Sequence, residues 1–93
     1  MAKFLIEVPH EGTKAACMRA IQLFKETGSH FLSHAEWGCT DGEHKAWMIV
    51  EIDNKDAAKR ILPSALRNKA KITLLHQFSR REGVGDKVME HHS

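Results

Sequence analysis

The stretch TDGEHKAWMIVEID, residues 40–53, contains the two patterns that decide the fold. Asp41-Gly42 suits the positive backbone angles of a tight turn, which predicts a hairpin. After the turn every second residue is apolar, which predicts a strand over Lys45–Ile52 with one face in the core. The residues predicted to face the core are Ala46, Met48, Val50 and Ile52, and those on the opposite face are Trp47, Ile49 and Glu51.

Periodicity and breaker residues on both sides of this hairpin predict the remaining elements. They are a strand over residues 3–8, a helix over 14–27, a strand over 30–37, a helix from residue 55 and a strand over 71–78. Pro9 ends the first strand because proline cannot donate to a sheet ladder. Thr13 and Gly28 are typical start and stop residues of the first helix. Pro63 lies inside the second helical pattern, so a break is expected there.

The predicted order β-α-β-β-α-β indicates an α+β fold. With two right-handed crossovers this order gives a ferredoxin-like sandwich, in which a four-stranded antiparallel sheet carries both helices on one face. Ninety-three residues leave room for one core. We expect one domain over residues 1–78 and a flexible C-terminal tail over residues 79–93, where periodicity is weak.

Composition excludes several classes of protein. Hydrophobic residues make up 42% and charged residues 28% of the chain, which argues against intrinsic disorder. No apolar run approaches the roughly 18 residues of a membrane-spanning helix. The N-terminal apolar residues meet Glu7 too early to form a secretory signal. Cys17 and Cys39 make neither a disulfide framework nor a Cys-x-x-Cys pair, so a cytoplasmic location with reduced thiols is expected.

Residues 55–81 are a basic stretch, which contains eight Lys/Arg and a single acidic residue, Asp56. Such a stretch can contact phosphate or nucleic acid. It is also typical of the solvated face of an amphipathic helix, and the helical spacing of its lysines favours that interpretation.

Helices on one side of the predicted sheet leave the other side open. The residues predicted on this open face are the apolar Leu5, Leu32, Trp47, Ile49 and Leu75 and the polar Glu7, His34, Glu36 and Glu51. An apolar area of this size is rarely left in water, so we expect a homodimer in which two open faces pack together. For the fourth strand, the pattern leaves open whether His76 or Gln77 faces outward.

Three segments carry a resemblance to a known superfamily: the hairpin TDGE (40–43), the strand AWMIVE (46–51) and the helix start DNKDAA (53–58). In order and spacing, residues 3–78 resemble the dimeric α+β barrel superfamily, which includes small antibiotic-biosynthesis-type monooxygenases, muconolactone isomerase-like proteins and YCII-like proteins. The resemblance implies a small ligand held between sheet and helices or inside the barrel. It includes no catalytic motif, so it assigns no catalytic residue and no cofactor.

The seven histidines make a metal site one candidate for the chemistry. His34 and Glu36 lie two apart on a predicted strand, and Glu7 or Glu51 can join them from neighbouring strands. Imidazole with carboxylates suits zinc, iron, nickel or manganese. The chain has no H-E-x-x-H motif and no familiar Cys/His zinc spacing.

Acid–base chemistry on a small organic substrate is the second candidate. His34 or His76 would be the acid or base, because histidine titrates near neutrality. A glutamate from the open face (Glu36, Glu7 or Glu51) would orient it. Trp47 would form an apolar wall of the ligand site, or would pack in the dimer interface. Cys17 is expected to be a core residue, and spacing gives Cys39 no basic partner.

RNA binding is the alternative from a different class, because RRM domains share the predicted element order. The strand over residues 45–52 loosely resembles their third-strand motif, but only Trp47 is aromatic there. Glu7 and Glu51 on the same face would repel phosphate. The sequence therefore favours a small-ligand-binding homodimer, whether enzyme or binder, over an RRM-like module or a non-catalytic interaction protein.

Overall fold

A four-stranded antiparallel sheet with helices is formed by residues 1–78, the part of the chain that the computed structural model describes. The elements are β1 (Ala2–Pro9), α1 (Lys14–Thr27), a first 3₁₀ helix (Phe31–His34), β2 (Glu36–Trp37), a second 3₁₀ helix (Cys39–Asp41), β3 (Lys45–Ile52), α2 (Lys55–Arg60), a third 3₁₀ helix (Ser64–Lys69) and β4 (Lys71–Leu75). The strand order is β2-β3-β1-β4, with antiparallel neighbours. The predicted α+β class is confirmed, whereas the predicted tail over residues 79–93 lies outside the described residues.

The helices begin and end where capping residues predict. The Thr13 hydroxyl accepts a hydrogen bond from the Ala16 N–H at 3.0 Å, and Gly28 ends α1 in the left-handed conformation. Asn54 caps α2 by accepting from the Ala57 N–H at 2.8 Å. The α2 helix ends at Arg60, and Pro63 then precedes the third 3₁₀ helix, so the expected break is confirmed.

The core lies between the sheet and the helices. Alternation along β1 and β3 puts one set of side chains into it, and Ile6 pairs with Met48 across the two strands. The buried apolar residues are Phe4, Ile6, Val8, Ala20, Phe24, Leu32, Ala46, Met48, Val50, Ala58, Leu62 and Leu66. The predicted core face of β1 is therefore confirmed, and so is that of β3 except at its last residue, Ile52, which is only partly buried.

The prediction of one strand over residues 30–37 is wrong. Only Glu36 and Trp37 pair as a strand, whereas the preceding residues form a 3₁₀ helix. The Ser33 hydroxyl donates to the His30 carbonyl at 2.6 Å, and the Ser33 N–H bonds to the same oxygen at 3.2 Å. This three-residue repeat turns Leu32 into the core, although strand alternation placed it on the open face.

The last strand is shorter than predicted, since β4 ends at Leu75. His76 and Gln77 both lie beyond it and are exposed, so strand alternation assigns neither of them a face. Leu74 pairs with Phe4 and so points to the helix side, yet it is 58% exposed because β4 is an edge strand. None of the helices formed by residues 1–78 has the length and apolar character needed to cross a membrane.

Candidate metal centre

Two histidines and a cysteine converge at one end of the sheet. His10, Cys39 and His44 each offer one ligand atom, and these atoms lie within 4.8 Å of one another. His10 directly follows β1, while Cys39 and His44 flank the turn between β2 and β3. The His10 N–H donates to the His44 carbonyl at 3.0 Å, which extends the β1–β3 pairing by one residue and brings the two side chains together.

The β2–β3 connection holds Cys39 in place through backbone hydrogen bonds. The Gly38 N–H donates to the Lys45 carbonyl at 3.1 Å, and the Gly38 carbonyl accepts from the Asp41 and Glu43 N–H groups, each at 3.0 Å. A Cβ on Gly38 would lie 2.7 Å from Cζ3 of Trp47 and 2.8 Å from the Glu43 carbonyl oxygen. Any larger residue before Cys39 would therefore force its neighbours to shift, which favours glycine at this position for steric reasons.

The ring of His10 is oriented by a backbone carbonyl. Its Nδ1 lies 2.9 Å from the Glu11 carbonyl oxygen, and because that oxygen only accepts, Nδ1 carries the proton. Nε2 therefore keeps its lone pair, which accepts a hydrogen bond from the Cys39 thiol at 3.2 Å. This is the usual arrangement of a metal-ligating histidine, in which the second nitrogen donates to a carbonyl.

Cys17, from α1, adds a second sulfur to the cluster. Its thiol donates to Sγ of Cys39 at 2.7 Å. Both cysteines are free and half-buried. Cys17 is not one of the three residues whose ligand atoms all lie within 4.8 Å of one another, and it touches that group at Cys39. With Cys17 included, the donors are two sulfurs and two nitrogens, a combination that tetrahedral zinc sites use.

His44 provides the second imidazole of the cluster. Its Nδ1 is buried and has no hydrogen-bond partner among residues 1–78. Its ring meets that of His10 edge-on, with 5.7 Å between centroids. A buried polar atom without a partner costs about 1–3 kcal/mol, so a coordinated cation would remove a penalty that the protein otherwise carries.

Cys39 holds its proton tightly in the metal-free protein. Burial raises the pKa of its thiol from 9.0 to about 11, and the charge interaction with Cys17 raises it further. A metal ion that binds here must displace this proton.

We expect iodoacetamide at pH 8 to alkylate Cys39 of the chelator-treated, folded protein at least ~10-fold more slowly than in the urea-unfolded chain, because the thiolate is the reactive form. Peptide mass mapping of the two samples over time measures the rate at Cys39 itself. Equal rates in the folded and unfolded protein would contradict the raised pKa.

The residues predicted from the sequence lie elsewhere, on the open face of the sheet. His34, Glu36 and Trp47 line one groove of about 410 Å³ together with Leu5 and Ile49. They are brought together by the β2–β3 pairing, which sets Glu36 opposite Trp47. Their assignment to a ligand or metal site stays a prediction.

Glu7 and Glu51 do not line this groove. Glu7 pairs with Trp47 across β1 and β3, and its carboxylate lies 4.0 Å from Nζ of Lys45. Glu51 is exposed and pairs with Lys3 towards the other end of the sheet.

A cavity of about 670 Å³ lies between α1 and the first 3₁₀ helix. Its walls include Phe24, Leu32 and Trp37, and His30 lies at its edge.

The histidine–cysteine cluster was missed by sequence reasoning because its members are distant along the chain. One pattern could have found part of it: Cys39 and His44 flank the predicted turn. In the β1–β3 register Pro9 pairs with Lys45, so the next residue pair outward is His10 with His44. Nothing in the spacing points to Cys17, which depends on how α1 packs.

Comparisons with known proteins give no match for this chain. No protein-family model matches it, and neither do the curated proteins or the solved structures. What the chain does must therefore follow from its own residues and their geometry.

Proposed function

We propose that this protein binds a thiophilic divalent metal ion, zinc, through His10, Cys39 and His44, with Cys17 as the fourth ligand. The observation that carries the proposal is the convergence of three ligand atoms within 4.8 Å of one another from two separate segments of the chain. The oriented ring of His10 supports it, and so does the buried Nδ1 of His44, which has no hydrogen-bond partner within residues 1–78.

The donor set favours zinc over harder cations. Calcium and magnesium prefer oxygen ligands, whereas thiolate and imidazole suit zinc. Zinc bonds are about 2.3 Å to sulfur and about 2.0–2.1 Å to nitrogen, so on binding the two sulfurs, now 2.7 Å apart, must separate to about 3.8 Å. Four protein ligands leave no open position for a substrate, which is typical of a structural site.

The metal would tie three parts of the fold together: the end of β1, the helix α1 and the turn between β2 and β3. Because binding to the folded state alone stabilises it, zinc should raise the stability of the protein. Native mass spectrometry of protein purified without chelator tests this directly. We expect one zinc per chain; protein that stays metal-free even after incubation with zinc would rule out the site.

A second proposal concerns the sheet. Its strand order is β4-β1-β3-β2 and the two crossovers contain helices, which supports the ferredoxin-like topology. We infer that two chains pack their open faces together and hold a small ligand in the groove beside His34, Glu36 and Trp47. At the centre of this face Leu5 lies between Ile49 and Thr73, and Ile49 is 59% exposed.

Charged pairs flank this apolar centre. Lys3 lies opposite Glu51 at one end, and Glu7 lies opposite Lys71 at the other. An apolar centre with a charged rim is the usual anatomy of a protein interface.

We expect Ile49→Lys to convert the dimer into a monomer, because it places two charges at the centre of the interface. Leu74→Lys is the matched control, since Leu74 is 58% exposed but points to the opposite face of the sheet. Sedimentation velocity of wild type and both variants at one concentration measures the difference. A wild-type monomer, or equal dissociation of both variants, would exclude the face-to-face dimer.

A further inference from the structure

We propose that Cys17 and Cys39 form a thiol–disulfide switch: a small-molecule disulfide oxidises the pair to an intramolecular disulfide, and this releases the bound metal. Metal release rests on the proposed zinc site. Formation of the disulfide does not, because it depends only on the two cysteines.

The two sulfurs are already in contact although 22 positions separate them in the sequence. Cys17 lies on α1 and Cys39 at the turn after β2, and their Sγ atoms are 2.7 Å apart. A covalent S–S bond is about 2.05 Å long. Two thiolates on one tetrahedral zinc, each with a bond of about 2.3 Å, stand about 3.8 Å apart. The two sulfurs are in contact before any bond forms, so a small movement of α1 against the turn reaches either state.

An oxidant can reach the pair. Both cysteines are half-buried, and they border a cavity of about 320 Å³ that Thr13, Met18 and Thr40 also line. The walls of this cavity are largely apolar, but Lys14 lies at its edge. A lysine beside the cavity favours an anionic disulfide such as oxidised glutathione.

The reaction is thiol–disulfide exchange in two steps. One cysteine thiolate attacks a sulfur of oxidised glutathione, so that a mixed disulfide forms and one glutathione thiolate leaves. The second cysteine thiolate attacks the protein sulfur of the mixed disulfide and expels the second glutathione. The two cysteines are oxidised and the two glutathione sulfurs reduced, and in the metal-free protein the two cysteine protons end on the two glutathione thiols.

Disulfide formation removes both sulfur ligands at once. Only the imidazoles of His10 and His44 remain, and two nitrogen donors do not complete the tetrahedral set that zinc requires. The metal is therefore expelled when the bond forms, and it prevents the bond from forming when it is present in excess. Reduction of the disulfide restores the site.

The experiment equilibrates the full-length protein, first metal-free and then zinc-loaded, in glutathione buffers of stepped redox ratio. Mass spectrometry after acid quenching follows the protein, and a chromogenic zinc chelator follows released metal. We expect the metal-free protein to lose the mass of two hydrogen atoms and peptide mapping to show one Cys17–Cys39 link. We expect the zinc-loaded protein to release one zinc per disulfide formed.

Cys17→Ser is the matched variant, because it keeps Cys39 but removes its partner. It should accumulate a glutathione adduct at Cys39 instead of the internal link. Wild type that accumulates adducts on both cysteines without an internal link would overturn the switch, as would a disulfide that forms while zinc stays bound. If the disulfide forms but the protein never binds zinc, the proposed zinc site and the proposed metal release are both wrong. The proposed disulfide between Cys17 and Cys39 then still stands.

Discussion

Replacing Cys39 by serine should lower the affinity for zinc at least ~100-fold. Cys39 contacts both His10 and Cys17. Its sulfur lies 3.2 Å from Nε2 of His10 and 2.7 Å from Sγ of Cys17. Loss of a residue that hydrogen-bonds to a metal ligand typically lowers metal affinity 10–100-fold, and loss of a thiolate ligand itself should lower it more. Competition with a chromogenic chelator at fixed pH measures the affinity of each variant.

Histidine variants give this experiment a matched control. His10→Ala removes a ring from the cluster, whereas His30→Ala removes a ring that lies outside the cluster and packs against His34 with 5.0 Å between centroids. We expect the first variant to lose zinc affinity and the second to keep it. Unchanged affinity in Cys39→Ser, or equal losses in the two histidine variants, would place the metal elsewhere.

Gly38→Ala should lower the free energy of unfolding by about 2–3 kcal/mol, a typical cost of overpacking a well-filled site. Gly38 has φ −100°, which any residue adopts, so the penalty is steric. The added Cβ would lie 2.8 Å from the backbone oxygen of Glu43, and backbone cannot swing aside as a flexible side chain does. Urea unfolding of the metal-free protein measures the change.

The same substitution should also weaken zinc binding, because relief of the contact displaces the neighbouring Cys39. Gly28→Ala is the control: Gly28 has φ 65° and no other atom within 4 Å of an added Cβ, and it ends α1 away from the cluster. That variant should cost about 1 kcal/mol through its left-handed backbone and leave zinc affinity unchanged. A Gly38→Ala protein as stable as wild type would show that the turn is less tightly packed than described.

Much of the fold could be predicted because it depends on local patterns. Alternation over Lys45–Ile52 predicted a strand whose inner residues are buried, apart from the partly buried Ile52 at its end. Thr13, Gly28 and Pro63 predicted helix ends and a break, since capping and the missing proline N–H act within a few residues.

Residues 30–37 could not be predicted in the same way. Their apolar residues fit a strand by alternation, yet the Ser33 hydroxyl and backbone bonds of Leu32 and Ser33 to the preceding turn stabilise a 3₁₀ helix. Which of the two structures forms depends on the free energy gained when the Leu32 side chain is buried in the core. That free energy depends on tertiary packing and not on the local sequence.

By itself the sequence determined the α+β class, the caps, and which faces of β1 and β3 enter the core. These follow from the period of side-chain direction and from local hydrogen bonds. Only the tertiary structure decided the candidate site. His10 and His44 meet because β1 and β3 pair side by side, and Cys17 reaches Cys39 because α1 packs over the turn. Residues drawn from three separated segments leave no fixed spacing along the chain, so only their positions in space reveal the candidate site.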